Sequence, residues 1–271
     1  MGELPVSVII IARNAEKTIE ACLDSVRRNN PAEIIVVDGN SKDRTVEIAR
    51  SYTERIFSDG GRGMGYASQL GTEKATREYV AYIDSDVILT EGALSTMLAE
   101  FKGSGFTAIS AQQFPEAKRL NYWEWAADKR GRYSKSRRRE GYLGMLACLF
   151  SRETILKYGF DTAERHLHDI DLEMRLRRDG HEFGVSSAIV HHHHRFDFKS
   201  FVKYRFLEGK VCVRYIRKWG PWHIRFWPPL YTPYWLGFCL IKKPRLIPYV
   251  VVDGIVQTAG MVKGLFELRR G

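Results

Sequence analysis

The chain has 271 residues, a net charge of +10, 44% hydrophobic and 27% charged residues, and four cysteines. That length and composition suit a folded protein with a real core, one large domain or one domain plus an appendage. Cys22, Cys148, Cys212 and Cys239 are too far apart for a zinc-like pairing and are expected as buried thiols in a reducing compartment.

Val6–Ala12 (VSVIIIA) is a continuous β-branched run, which predicts a strand buried on both faces of a parallel sheet. The N-terminus leads straight into it, so no signal peptide is expected. Asn14 starts a turn, and Ala15–Arg28 predicts a helix with Ile19, Cys22, Leu23 and Val26 on one stripe. Glu33–Val37 is a second buried strand ending at Asp38-Gly39-Asn40-Ser41, and Lys42–Tyr52 a second helix. Ile56-Phe57 is a short strand, Gly60–Gly65 a flexible turn, Tyr66–Thr76 a helix and Tyr79–Ile83 a strand. The β-α-β-α order predicts a doubly wound α/β domain, whose ligands bind beyond the carboxyl ends of the strands. Further on, Thr107–Gln112, Met145–Phe150 and Ala188–His194 are expected strands, and Ile170–Arg178 a helix. No internal repeat or low-complexity linker is evident.

The character changes near Phe196. Residues 196–271 carry 14 Lys and Arg against 4 Asp and Glu, while residues 1–195 carry 28 of each. All of the excess charge therefore lies in the tail, with sixteen aromatic residues and four of the six tryptophans. Phe226–Ile241 holds no charge and three prolines; Leu246–Val262 holds only Asp253. Both runs are short of the ~20 residues of a simple spanning helix. Interleaved aromatic and basic residues are typical of a membrane–water interface. Domains at 1–195 and 196–271 follow, the second a helical, aromatic-rich extension associating peripherally with an anionic membrane surface.

Asp84 and Asp86 carry the chemistry. They follow an apolar run, and in extended chain residues i and i+2 share a face. Two carboxylates that close repel unless a cation lies between them. Mg²⁺ or Mn²⁺ fits, because hard cations take carboxylate oxygens and also hold substrate phosphates. Lys129–Arg139 has seven basic residues in eleven, which reads equally as a solvated loop or as a phosphate clamp.

Four segments together (VSVIIIARN, DGNSKDRT at 38–45, Asp84-Ser85-Asp86, and HDIDLEMRLRRDG at 168–180) resemble the family 2 glycosyltransferases of the GT-A, Rossmann-like fold. The resemblance covers residues 5–210 and implies metal-dependent transfer of a sugar from a UDP- or GDP-sugar, with inversion at the anomeric carbon. It implies donor-binding roles for Ala12, Arg13, Asn14, Asp38, Arg62 and Asp84, and metal contact by Asp86 and His192 within the His191–His194 run. It puts the general base at Asp169, preceded by His168 where many members carry Glu. Asp171 reads as well as a helix cap as a catalytic group. With the basic run and the aromatic, basic tail, the expected acceptor is lipid-linked or membrane-proximal, such as a polyprenyl phosphate, at the cytoplasmic face of a membrane.

Two other readings stand beside this one: a transferase for a soluble glycan or protein acceptor whose tail forms a homodimer interface, and a nucleotide- or nucleic-acid-binding module. No nucleic-acid motif supports the latter. Ala12-Arg13-Asn14-Ala15 after the first strand, in place of G-x-G-x-x-G, disfavours a dehydrogenase.

Overall fold

The structure, a computed structural model, describes residues 2–116, 120–136, 143–193, 197–221 and 227–268. The chain divides into two compact units. One is Met1–Lys118 with Lys135–His194; the other is Arg119–Ser134 with Arg195–Gly271.

The first unit is built on an eight-stranded mixed sheet in the order β3-β2-β1-β4-β7-β6-β8-β5. Strands β1 (Leu4–Ala12), β2 (Pro31–Asp38), β3 (Ile56–Ser58) and β4 (Tyr79–Ile83) run parallel. They are linked by α1 (Ile19–Arg28), α2 (Thr45–Arg50) and α3 (Met64–Lys74). Beyond β4 the doubly wound expectation is corrected. β7 (Ala147–Ser151) pairs antiparallel with β4 and with β6 (Ala108–Pro115). β8 (Phe183–His192) pairs parallel with β6 and antiparallel with the short β5 (Val87–Leu89). A parallel neighbour needs a crossover that returns the chain to the same end. After β4 a tight turn leads to β5, last in the strand order, and the neighbour that β4 gains is β7, which arrives later running the opposite way. Helices α4 (Ala93–Lys102), α6 (Arg152–Tyr158) and α7 (His168–Arg178) complete this unit.

Alternation along the central strands sorts side chains into two cores. Val6, Val8, Ile10 and Ala12 of β1 join Ala81 and Ile83 of β4 in one. Ile9, Val80 and Tyr82 join Phe150 and Leu172 in the other. Each buried aliphatic side chain is worth roughly 1.5–3 kcal/mol, so the sheet is stabilised from both faces along β1 and β4.

The second unit contains α5 (Tyr122–Ser136) as far as Ser134, α8 (Phe198–Trp219), α9 (Pro228–Lys242), a 3₁₀ turn (Pro244–Leu246) and α10 (Ile247–Leu268). The basic run begins inside α5 rather than in a loop; Arg137–Arg139 and His194 lie outside the described residues. Pro228 and Pro229 open α9, where a missing N–H costs nothing, and Pro233 lies inside it. The core joins Ala126, Phe201, Cys239, Leu246, Tyr249 and Val250. Asp253, 1% exposed, pairs with Arg205 and with Arg130 (3.0 Å), and accepts from Gln257 Nε2 (2.8 Å). Burial pushes its carboxyl up, but Arg205 and Arg130 outweigh that and hold it below the usual carboxylate range. Arg130 is therefore committed to Asp253 and is no phosphate clamp.

Candidate active site

The carboxyl ends of β1, β2 and β3 meet at one level, with Ala12 opposite Asp38 and Asp38 opposite Ser58. Ala12 is buried in the core and its carbonyl accepts from Gly39 N (2.8 Å). Arg13 is exposed, its stem against Gly39, where an added Cβ would lie 3.1 Å from Arg13 Cβ. Asn14 adopts a left-handed φ of 51°. Its backbone N donates to Ser41 Oγ (2.9 Å), and its Oδ1 accepts from Lys42 N (2.8 Å). Asp38 accepts from Ser41 N at 3.2 Å with each carboxylate oxygen. Two short polar loops are thus stitched together by side chain–backbone hydrogen bonds beside the edge of the sheet.

Asp84 and Asp86 do not lie in extended chain. Val87 N donates to Asp84 O (3.0 Å), closing a reverse turn over Asp84–Val87. The strand-face argument for their proximity is corrected: the turn brings them together. The turn is anchored just ahead of β7 by Asp84 N to Leu146 O (3.0 Å), and Cys22 Sγ donates to Asp84 O (3.4 Å). Burial raises the Asp84 carboxyl well above its ordinary pKa, and the negative charges of Asp86 and Asp169 raise it further. Asp84 keeps partial surface exposure although protein encloses its carboxylate.

His192 Nε2 lies 3.5 Å from Asp86 Oδ1, and His193 N donates to Asp86 O (2.8 Å). The β5–β8 register causes this, since His192 sits opposite Val87. His193 instead pairs its Nδ1 with Glu116 Oε2 (2.6 Å). His191 is opposite Ile88, and its Nδ1 is buried without a partner.

Asp169 occupies the first turn of α7, after Leu167 in a left-handed conformation (φ 56°). His168 is buried, packs near the Phe160 ring (centroids 5.5 Å) and has no partner for Nδ1. Burial pushes its imidazole below the usual value, which Asp169 partly offsets. Asp171 is no cap. It lies in the fourth helical position, fully buried, and accepts from Arg175 Nε (2.9 Å). Arg175 also donates to the carbonyls of Tyr158 and Gly159, both at 2.7 Å.

Arg62 stacks on Tyr66, its guanidinium carbon 3.9 Å from the ring centroid. The loop that carries it depends on residues that sequence reasoning passed over. Asp59, 3% exposed, accepts from the backbone N–H groups of Gly61 and Gly63. The Asp-Gly-Gly spelling was a legible signal for that turn. Gly65 N donates to Glu164 O (2.9 Å), and Arg165 Nη2 donates to Gly61 O (2.7 Å). A Cβ on Gly65 would fall 2.3 Å from Asp161 O, and nothing local in the sequence marks that long-range approach.

Among the described residues, no three His, Cys, Asp or Glu side chains are gathered as a complete metal site. The donor set fits a divalent cation nonetheless. Asp84, Asp86 and Asp169 crowd negative charge, and His192 stands beside Asp86. Mg²⁺ commonly takes one or two protein carboxylates and completes its shell with substrate phosphates and water.

A mixed α/β sheet with polar loops and an aspartate turn at its carboxyl edge is the architecture of the GT-A class. The sequence profile of Glycosyl transferase family 2 matches residues 7–158, and the chain belongs to that family. The 4,4'-diaponeurosporenoate glycosyltransferase of Staphylococcus haemolyticus is 32% identical over 117 residues, 40% of this chain and 31% of that protein. Its Staphylococcus aureus counterpart is 31% identical over 123 residues, 42% and 33%. The alignments thus span about a third of these curated relatives' length. In fold, the chain is similar to the mannosyltransferase PcManGT from Pyrobaculum calidifontis, solved with GDP-Man and Mn²⁺. The TM-score is 0.68 at 18% identity, over 98% of this chain and 88% of that one. Glucosyl-3-phosphoglycerate synthase from Mycobacterium tuberculosis, solved with Mg²⁺ and UDP, has a TM-score of 0.56 at 20% identity, over 77% and 78%.

Proposed function

We propose that the chain is an inverting glycosyltransferase that moves a sugar from a UDP- or GDP-sugar to a membrane-proximal acceptor, such as a polyprenyl phosphate. The observation that carries this is the Asp84–Val87 turn, which crowds the Asp84 carboxyl against Asp86 and Asp169 with His192 at its side. Family membership and the GT-A fold support the same reading. Asp38, Arg13, Asn14 and Arg62 hold the nucleotide, and Ala12 contributes its backbone. Asp84, Asp86 and His192 hold a divalent cation, which when bound neutralises the charge growing on the departing diphosphate. Asp169 accepts the proton of the acceptor hydroxyl as that oxygen attacks the anomeric carbon. Burial of His168 beside it disfavours the charged form of that imidazole.

The second unit associates peripherally with the cytoplasmic face of an anionic membrane, which presents a lipid-linked acceptor to the site. One helix, Pro244–Leu268, has the length and composition to cross a membrane, but 44% of its most apolar window is buried in protein. A helix packed that far into protein suits surface association rather than a span. A panel of UDP- and GDP-sugars tests the donor class. One class should raise the melting temperature and be hydrolysed only with Mg²⁺ or Mn²⁺. Indifference to the whole panel in both assays contradicts the proposal.

A further inference from the structure

We propose that α9 and α10 lie in the plane of an anionic bilayer, their uncharged outer faces in the acyl boundary and Lys242, Lys243 and Arg245 among the headgroups. This orientation rests on the membrane reading above and adds to it the docking face and its depth.

The two sides of α10 have different surroundings. One side packs within the unit through small residues. A Cβ on Gly260 would fall 2.1 Å from Phe206 O, one on Gly264 2.5 Å from Lys210 O, and one on Gly254 2.5 Å from Thr232 Cγ2. The opposite row, Pro248, Val251, Ile255, Ala259 and Val262, is exposed and carries no charge. Ile255 is 65% exposed. A helix that faced water there would carry polar residues. α9 also exposes apolar side chains, Leu240 at 68% and Ile241 at 79%. The Asp253 pairs to Arg205 and Arg130 fix which face of α10 points inward.

Two inserted geometries are disfavoured. α10 runs alongside α8, with Arg205 against Asp253, Gly209 against Gln257 and Lys210 against Gly264. α8 carries eight charged residues in 22. A spanning α10 would drag them into hydrocarbon. A hairpin inserted tip-first would put Lys242, Lys243 and Arg245 deepest, against the same penalty. Lying flat avoids both and leaves those cations at the anionic surface. No Asp or Glu occurs between Glu208 and Asp253. A second copy docking on this face would bring its own Lys242, Lys243 and Arg245 against the same three cations, whereas anionic lipid pairs with them.

Nitroxide labels on cysteines introduced singly at Leu240, Lys243, Ile255, Val262 and Lys203 test this in the full chain, on vesicles of phosphatidylcholine and phosphatidylglycerol. The four native cysteines are buried and take label slowly. Labels at 240, 255 and 262 should share one shallow depth, about 5–10 Å into the headgroup–acyl boundary. Lys243 should sit at the headgroups, and Lys203 on α8 should stay in water. Replacing Lys242, Lys243 and Arg245 together by Ala should weaken partitioning about a hundredfold. A deepest label at 243, a steady gradient from 255 to 262 with 203 immersed, or no immersion at 240, 255 and 262 on vesicles that the chain does bind overturns the orientation and leaves the membrane reading standing. Failure to float with any vesicle, or a tight lipid-free dimer that protects these positions, overturns both.

Discussion

His192 Nε2 stands 3.5 Å from Asp86 Oδ1, while the backbone of the next residue, His193, donates to Asp86 O at 2.8 Å. The end of β8 therefore grips the aspartate turn twice, once through backbone and once through an imidazole. Replacing His192 by Ala leaves the backbone grip intact. Metal affinity should fall tenfold or more with little change in melting temperature, read by Mn²⁺ titration and thermal unfolding. Unchanged metal affinity would remove His192 from the site.

The proton acceptor has its own signature. Asp169→Asn keeps size and polarity but removes the proposed base, so transfer should fall by about 10²–10⁴-fold. Donor affinity should stay within a few fold. A variant with weakened donor binding and undiminished turnover would move Asp169 into the donor pocket and require another base.

Asp171, two residues on, is argued to be structural. Asp171→Ala strands Arg175, whose side chain is only 20% exposed. Removing one partner of such a pair costs about 3–5 kcal/mol, and that partial exposure puts the expected loss at the low end. Denaturant melts should register it, while kcat/KM per folded molecule stays near the native value. A stable but inactive variant would reverse the assignment.

The raised Asp84 carboxyl gives stability a pH dependence of definite sign. Between the ordinary carboxylate pKa, about 4, and the raised folded value, the native state holds a proton that the unfolded chain has lost. Stability from this group is therefore present at acid pH and lost as pH rises through the folded pKa. A divalent cation competes for the same charge, so the stabilisation by Mn²⁺ should grow over that range. Melts against pH, with and without Mn²⁺, should show both trends, and Asp84→Asn should flatten both. A native slope identical to that of the variant contradicts the crowding of charge at this turn.

How far these features were legible depends on their range in the chain. β1, β2 and β4 were readable because strands buried on both faces leave continuous apolar runs. β5 and α6, at 3 and 7 residues, are too short to announce themselves by period. α4 offered a readable apolar stripe, Leu94, Met97 and Leu98, that was passed over. The nearness of Asp84 and Asp86 was anticipated with the wrong cause, since the turn hydrogen bond is a backbone property that side-chain alternation does not encode. Asp171 and Arg175, four apart on a helix, were readable as a pair. The partners of Asp253 were not, because α5, α8 and α10 meet only through the tertiary fold.

The central claim, that Asp84 and Asp86 make a divalent-cation site for a nucleotide diphosphate, is tested most directly by calorimetric titration of UDP and GDP into the native protein and Asp86→Ala, each with Mn²⁺ and with EDTA. The account predicts that one of the two nucleotides binds the native protein in Mn²⁺, that EDTA abolishes this binding, and that Asp86→Ala loses it while keeping its fold. Equal affinity in EDTA, or in the folded alanine variant, would contradict it.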